Sequence, residues 1–475
     1  MISSIKLICP HSYQVFQRSD CDTASICIEG SYGGQSCCSV HFRLGTKAGK
    51  NGTWKEAETF DNTFVGAVHD VPTGGTYCLD IEARDANGKA LASCRVRELL
   101  VGDLWVLAGQ SNMDGRGKLD NLEPPHRMAH AYYYDESWDI ARDPLCSPNE
   151  SIDPVHWDIQ DADEREESNR KNRMTRQTGA GLGVRFAKDL FKATHVPIGL
   201  IICSHGGTNM AQWNPALKSH GGESLYGSML RRINAVGGKI AGFLWYQGEN
   251  DALYPPEGKP YKENFREFIA CLRSDLESSK LPFIYAQLGL TYHFDDPLTG
   301  TIGWNGTQND QLSLSTEVEN AAMVATVDSS LADYIHLDSA SLRRLGSRMA
   351  LMARRIRFGE SGIESGPRPT ECRFIDSERT RIGLTFDGVN GRLHPAKGII
   401  GFEIEADDGG AYIADCRIDK TDKNIIIIEC VQPVPSGARL WHGHGLNPAC
   451  NLKDNLGLPA PVFGPIIVET HSDAG

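Results

Sequence analysis

Between residues 104 and 358 short apolar runs alternate with longer stretches of helical period, and this alternation limits the chain more than any other feature. The runs are 104–108, 198–203, 240–246, 282–288 and 321–327. Between and after them, 181–193, 225–236, 261–278 and 339–358 carry apolar residues three and four apart. Strands that are apolar almost throughout must be covered on both faces. Strands alternating with helices predict a parallel sheet with helices on both sides, an α/β domain of three layers spanning 100–360. In such a domain ligands bind beyond the carboxyl ends of the strands.

The flanks read differently. Runs 25–29, 40–44, 63–68 and 77–83 are short and separated by Gly, Asp and Asn, which predicts strands. Asn87-Gly88 between 79–84 and 90–96 is a hairpin signal. Residues 1–99 are therefore expected to form a β-sandwich. The same texture returns in 381–386, 401–406, 411–417, 424–429 and 438–441, and predicts a second β-sandwich over 361–475. A length of 475 residues suits such a multidomain plan. The polar stretch 121–176 is expected to rim the site as loops and short helices.

Composition excludes several function classes. With 48 Lys and Arg against 61 Asp and Glu the formal net charge is −13, a poor match for nucleic acid or an anionic membrane. No apolar run is long enough to cross a bilayer. The start, Met1 to Pro10, lacks a basic segment followed by a long apolar core, which predicts a cytoplasmic protein, or a secreted one whose signal has been removed. The 14 Cys include the adjacent Cys37 and Cys38 but no C-x-x-C pair. They are expected to be reduced and mostly buried. N-x-[ST] sequons stand at Asn51, Asn149 and Asn305.

Four short motifs follow strands. Ser111 lies in Gly109-Gln110-Ser111-Asn112-Met113, where a sharp turn off a strand exposes a hydroxyl; as a helix N-cap the same serine would be structural. Gly206 and Gly207 follow 198–203 and offer a backbone N–H at close approach, or a plain turn. Asn250 follows 240–246 and offers a side-chain amide, or a cap. His336 stands three residues after Asp333, so the carboxylate can bond the ring N–H within one turn; Asp328 and Asp338 are other acids nearby. Together these supply a nucleophile, a base, a group to orient the base and donors for an oxyanion. No G-x-S-x-G elbow is present. His126 and His130 are four apart but lack the H-E-x-x-H frame of a zinc site.

The order Ser, Gly, Asn, Asp-x-x-His, each after a strand, resembles the SGNH hydrolase superfamily. The phrases VGDLWVLAGQSNMDG, VPIGLIICSHGGTNMAQWNP, FLWYQGENDA and DYIHLDSASLRRLG look like sialate O-acetylesterases and related carbohydrate acetylesterases. Weaker likenesses, SYQVFQRSD and NLKDNLGLPAPVFGP, extend into the flanks. The pattern Asp333-x-x-His336-Leu departs from the D-x-H-P of that group and is closer to acetylxylan esterases. The resemblance implies a flavodoxin-like catalytic domain and a triad of Ser111, Asp333 and His336. It also implies an oxyanion hole from the N–H groups of Ser111 and Gly206 and the amide of Asn250. No metal or organic cofactor is implied.

The expected function is a serine carbohydrate O-acetylesterase acting through an acyl-enzyme on Ser111, with an acetylated carbohydrate as its partner. Gln110, Gln247 and Trp213 are candidate substrate-binding residues, Gln247 expected to support the catalytic loop more than to touch substrate, and Trp213 either stacking on a sugar or packing in the core. Glu249 and Asp251 are expected to support the site or to be solvated. An acetylxylan or acetylmannan esterase is the main alternative. A lipid or aryl esterase and a non-catalytic carbohydrate-binding protein are further ones. A sialate substrate carries a carboxylate and predicts an arginine near the site, from Arg116, Arg173 or Arg176. Nothing in the sequence fixes the oligomeric state.

Overall fold

The strand Ala90–Gly109 changes character along its length, and this organises the molecule. A computed structural model describes residues 4–33, 39–46, 52–255, 257–292, 297–407 and 409–469; the Cys37-Cys38 pair and the Asn51 sequon lie outside them. In its first part, where polar and apolar residues mix, Ala90–Gly109 pairs antiparallel with Gly74–Arg84 across the expected hairpin. From Leu99 onward every residue is buried. Here the strand runs parallel to both Ile198–Ile202 and Gly242–Tyr246, with Leu107 opposite Ile202 and Gly109 opposite Tyr246. The expected boundary between 99 and 100 thus falls inside one continuous strand.

The central sheet has the order Trp138–Ile140, Ala129–Tyr132, Ile198–Ile202, Ala90–Gly109, Gly242–Tyr246, Phe283–Ala286, Ala321–Val324. All neighbours on this path are parallel except the antiparallel edge strand Trp138–Ile140. Through Gly74–Arg84 the sheet continues into the N-terminal region, so it is a large mixed sheet. Successive side chains point to opposite faces. Trp105, Leu107, Leu200 and Leu244 meet the helices Gly183–Thr194 and Ser339–Ile356 on one side. Leu104, Val106, Phe243 and Trp245 meet Leu225–Ala235 and Tyr261–Asp275 on the other. Each fully buried Leu or Phe of these layers contributes roughly 1.5–3 kcal/mol relative to exposure.

At the N-terminal end, the sheet carrying Thr23–Gly33 and Thr63–Pro72 faces the one carrying Ser39–Thr46 and Gly74–Arg84. Ile26, Ile28, Phe42, Phe64, Leu79 and Ile81 form their shared core. Near the C-terminus, Arg368–Phe374, Arg381–Asp387, Ile425–Cys430 and Ile413–Ile418 form one sheet. Phe402–Glu405, Arg439–His442 and Phe463–Ile467 form another. Both contribute to a common core.

Two parts differ from expectation. The stretch 121–176 adds two strands to the central sheet besides its short 3-10 helices and the polar helix Ala162–Thr175. The strand Ala129–Tyr132 is completely buried, but its small residues gave too weak an apolar run to be read. The helix Pro297–Glu317 also went unread. Its buried face carries the polar residues Asn305, Thr307, Gln308 and Gln311 beside Trp304 and Leu314, so no apolar period marks it. The twelve described cysteines form no disulfide with one another, and five of them are buried, fewer than expected. Among the described residues no helix is long and apolar enough to cross a membrane.

Candidate active site

Four loops at the carboxyl ends of parallel strands meet over the central sheet. The first follows Gly109, whose φ of +128° disfavours any side chain. A Cβ there would also lie 2.2 Å from the Tyr246 carbonyl oxygen. Only glycine lets the strand turn so tightly into the helical turn Ser111–Asp114. The preceding Gln110 makes no side-chain cap, and the Ser111 hydroxyl is not used as one; it lies 2.8 Å from His336 Nε2.

The second loop follows Ile198–Ile202 and is fixed by the bond from the His205 N–H to the Gly109 carbonyl, 2.9 Å. This brings Gly206 against the serine: a Cβ on Gly206 would be 3.6 Å from Ser111 Cβ and 2.8 Å from an Arg116 nitrogen. The backbone N–H groups of Ser111 and Gly206 make no hydrogen bond to another described residue. The third loop carries Asn250, whose amide donates to the Gly207 carbonyl at 2.7 Å. A primary amide has two N–H donors, so one remains for a ligand.

The fourth loop, between Ala321–Val324 and Ser339–Ile356, holds Asp333 and His336. His336 Nδ1 is 2.7 Å from Asp333 Oδ2, and Asp333 Oδ1 accepts from the backbone N–H of Ile335 and His336 at 2.9 and 2.8 Å. Burial pushes the Asp333 carboxyl up, but the bonds from the His336 ring and those two N–H groups outweigh it and hold it below its ordinary value. The other acids are engaged elsewhere. Asp328 forms a bidentate pair with Arg348 at 2.8 and 2.6 Å, and Asp338 caps the final helix through the Ser341 N–H. A carboxylate, an imidazole and a hydroxyl in unbroken hydrogen-bond contact form a path along which a serine proton can move.

The residues beneath this path are buried. Asn112 donates to Glu249 Oε1 at 2.7 Å and accepts from the Leu337 N–H at 2.9 Å. Glu249 is 1 % exposed; burial pushes it up to about 7, against the bond from Asn112. Asp251 accepts from the Met210 N–H at 3.1 Å and from Gln247, and burial pushes it up to about 6. Both acids therefore support the loops rather than face solvent. Sequence reasoning missed Asn112; its place beside the serine was the one available signal.

Trp213 and Gln110 are corrected as substrate-binding candidates, and Gln247 takes the loop-supporting alternative. Trp213 is fully buried, edge-on to Trp245 and Phe268, and its indole N–H donates to Thr208 Oγ1 at 3.0 Å. It has no face open to a sugar. Gln247 is also fully buried and donates to the Thr208 carbonyl at 3.0 Å. Gln110, 2 % exposed, donates to the same carbonyl at 3.0 Å and to Glu249 Oε2 at 3.1 Å when its amide nitrogen faces these acceptors. They brace the loops from below. Of the three arginines considered, Arg116 lies beside Gly206. Arg173 pairs with Glu150, and Arg176 donates to the Cys146 and Thr178 carbonyls. His130 is bonded to the Tyr13 and Arg127 carbonyls. Among the described residues no cluster of three or more His, Cys, Asp or Glu is placed to hold a metal.

Comparison with known proteins places this geometry in a family. A model of carbohydrate esterases, described as sialic acid-specific acetylesterase, matches residues 101–355. A probable carbohydrate esterase of Arabidopsis thaliana is 32% identical over 187 residues, 38% of this chain and 66% of that protein. Human sialate O-acetylesterase is 23% identical over 354 residues, 68% of this chain and 66% of that protein. The chain thus spans 66% of the length of each of these relatives. A solved carbohydrate acetylesterase from Xanthomonas citri has a similar fold, with a TM-score of 0.62 and 22% identity over 95% of this chain and 97% of that one. With the four loops lying inside the matched segment, which is more than half of the chain, the protein belongs to the carbohydrate esterase family of the sialic acid-specific acetylesterase type.

Proposed function

We propose that the protein is a carbohydrate O-acetylesterase that forms an acyl-enzyme on Ser111. The reading takes 100–360 as an SGNH-type catalytic domain and 1–99 and 361–475 as flanking β-sandwiches. Ser111 attacks the acetyl carbonyl while His336 takes its proton, and Asp333 fixes the ring and stabilises the imidazolium. The oxyanion is held by the N–H groups of Ser111 and Gly206 and by the free N–H of the Asn250 amide. The sugar hydroxyl leaves with the proton from His336. Water, activated by the same imidazole, then releases acetate.

The observation that carries this reading is the Asp333–His336–Ser111 chain, 2.7 and 2.8 Å long at its two links. Acetate release from a panel of mono-acetylated sugars tests it. The Ser111→Ala variant is expected to lose on the order of 10⁶ in kcat if the three residues act as a unit. A folded Ser111→Ala protein that keeps most of the wild-type rate overturns the reading.

An acidic sugar such as sialate fits the site better than neutral xylan or mannan, because the Arg116 guanidinium stands beside Gly206. Among the described residues its one ion pair, with Asp114, is loose at 3.4 Å. Faster cleavage of acetylated xylose or mannose esters than of acetylated sialate would favour the neutral class instead.

A further inference from the structure

Behind the Gly206 loop runs a chain of polar side chains that the Ser111 proton path does not use. Arg231 donates to both oxygens of Asp153, at 2.7 and 2.8 Å. The Ser228 hydroxyl donates to Asp153 Oδ2 at 2.6 Å. His156 Nε2 lies 3.2 Å from Ser228 Oγ, and His156 Nδ1 lies 3.2 Å from His205 Nδ1. Asp153, His156 and Ser228 are buried, while His205 is partly open. His205 is joined directly to Gly206.

The protons of this chain can be counted. A carboxylate held by a guanidinium only accepts, and a hydroxyl has one proton to give. Ser228 gives its proton to Asp153, so its oxygen accepts from His156 Nε2–H. Burial, followed by the nearby His205, Arg232 and Arg231, holds the His156 ring well below its ordinary pKa, hence neutral. Neutral His156 with its proton on Nε2 has a bare Nδ1, which accepts from His205 Nδ1–H. Four residues from two distant stretches of chain, Asp153 and His156 with Ser228 and Arg231, therefore fix which nitrogen of His205 carries the proton.

The remaining nitrogen, His205 Nε2, has no hydrogen-bond partner among the described residues. The ring lines a cavity of about 210 Å³ with Gln212, His220 and Glu223. We propose that His205 is a substrate-binding residue whose Nε2 accepts a hydrogen bond from a free hydroxyl of the sugar, and that the Asp153–Ser228–His156 relay exists to present that lone pair. The proposal rests on the acetylesterase reading. It adds that the preferred esters are partially acetylated sugars with hydroxyls still free.

Two measurements on the full chain test it. With ¹⁵N-labelled histidine, long-range ¹H–¹⁵N spectra at neutral pH should show His205 protonated on Nδ1 and bare on Nε2, the signals being assigned by their loss in His205→Phe. In Ser228→Ala, which frees His156 to change tautomer, this signature should shift. The second measurement compares mono-O-acetylated N-acetylneuraminate and mono-O-acetylated methyl xyloside with p-nitrophenyl acetate, which has no hydroxyl. His205→Phe should lower kcat/KM on the better sugar ester about tenfold more than on p-nitrophenyl acetate, mainly through KM. His205→Gln, whose Oε1 accepts, should recover part of the loss. A proton on Nε2 in the wild-type spectrum, or equal losses on sugar and aryl esters, overturns the proposal. A wild-type protein that cleaves none of the three esters removes the acetylesterase reading and this inference together. Wild-type activity with an unmoved ratio removes this inference alone.

Discussion

Asn112 joins the serine loop to the histidine loop: its Oδ1 accepts from the Leu337 N–H at 2.9 Å while its Nδ2 donates to buried Glu249 at 2.7 Å. One amide thus sets the register between the Ser111 loop and the His336 loop. Asn112→Ala leaves two buried polar groups without partners, costing on the order of 1–3 kcal/mol each. It also loosens the approach of His336 to Ser111. Expected is a fall in kcat of about 10², with a smaller change in KM. Steady-state kinetics on a folded variant check this; unchanged kcat would mean that the two loops hold their register without the amide.

Asp333 orients His336 from a half-exposed position, and its other oxygen is held by two backbone N–H groups. Asp333→Asn keeps the size of the side chain but sets the ring in the wrong tautomer. A loss of about 10³–10⁴ in kcat is expected, with KM little altered. Single-turnover acetylation rates are the measurement. A loss below about tenfold would assign the orienting role to the loop backbone instead.

Glu249 sets a pH dependence of stability whose sign follows from burial. Its folded pKa, about 7, lies above the 4.5 of an ordinary glutamate. Stability from keeping the proton is therefore fully present below about pH 4.5 and is lost as pH rises through about 7. Glu249→Gln can still accept from Asn112 and has no charge to bury. The variant should unfold at a higher temperature than wild type by a margin that grows between about pH 5 and pH 8, on the order of 1–3 kcal/mol at the alkaline end. Thermal unfolding across that range tests this; a margin that shrinks as pH rises contradicts it.

Trp213 is a matter of stability rather than sugar binding. Trp213→Phe removes the bond to Thr208 Oγ1 and leaves a gap beside Trp245. A loss of about 1–2 kcal/mol is expected, with KM for sugar esters within roughly twofold of wild type. A large KM increase without loss of stability would return the indole to the binding surface.

The legible parts of the molecule were those encoded locally. Ser111, Gly206 and Asn250 each follow a run of apolar residues that marks the end of a buried strand, and Asp333 and His336 share one turn. Their convergence follows from a parallel sheet gathering the strand ends at one edge. What depended on residues far apart in the chain was not legible. Whether Trp213 stacks on a sugar or fills the core is decided by Trp245 and Phe268. The relay from Asp153 to His205 draws on residues 153, 156, 205, 228 and 231, none of which is notable alone. The helix Pro297–Glu317 is hidden because its buried face is largely polar, with Asn305, Thr307, Gln308 and Gln311 inside, which erases the apolar period that makes a helix readable.

The most direct test of the account is to trap the covalent intermediate. Rapid mixing of the wild-type protein with p-nitrophenyl acetate, acid quenching and peptide mass spectrometry should find one acetyl group per chain, on the peptide carrying Ser111. The adduct should be absent from Ser111→Ala. An acetyl group on another residue in the wild-type protein, or turnover with none at Ser111, would contradict it.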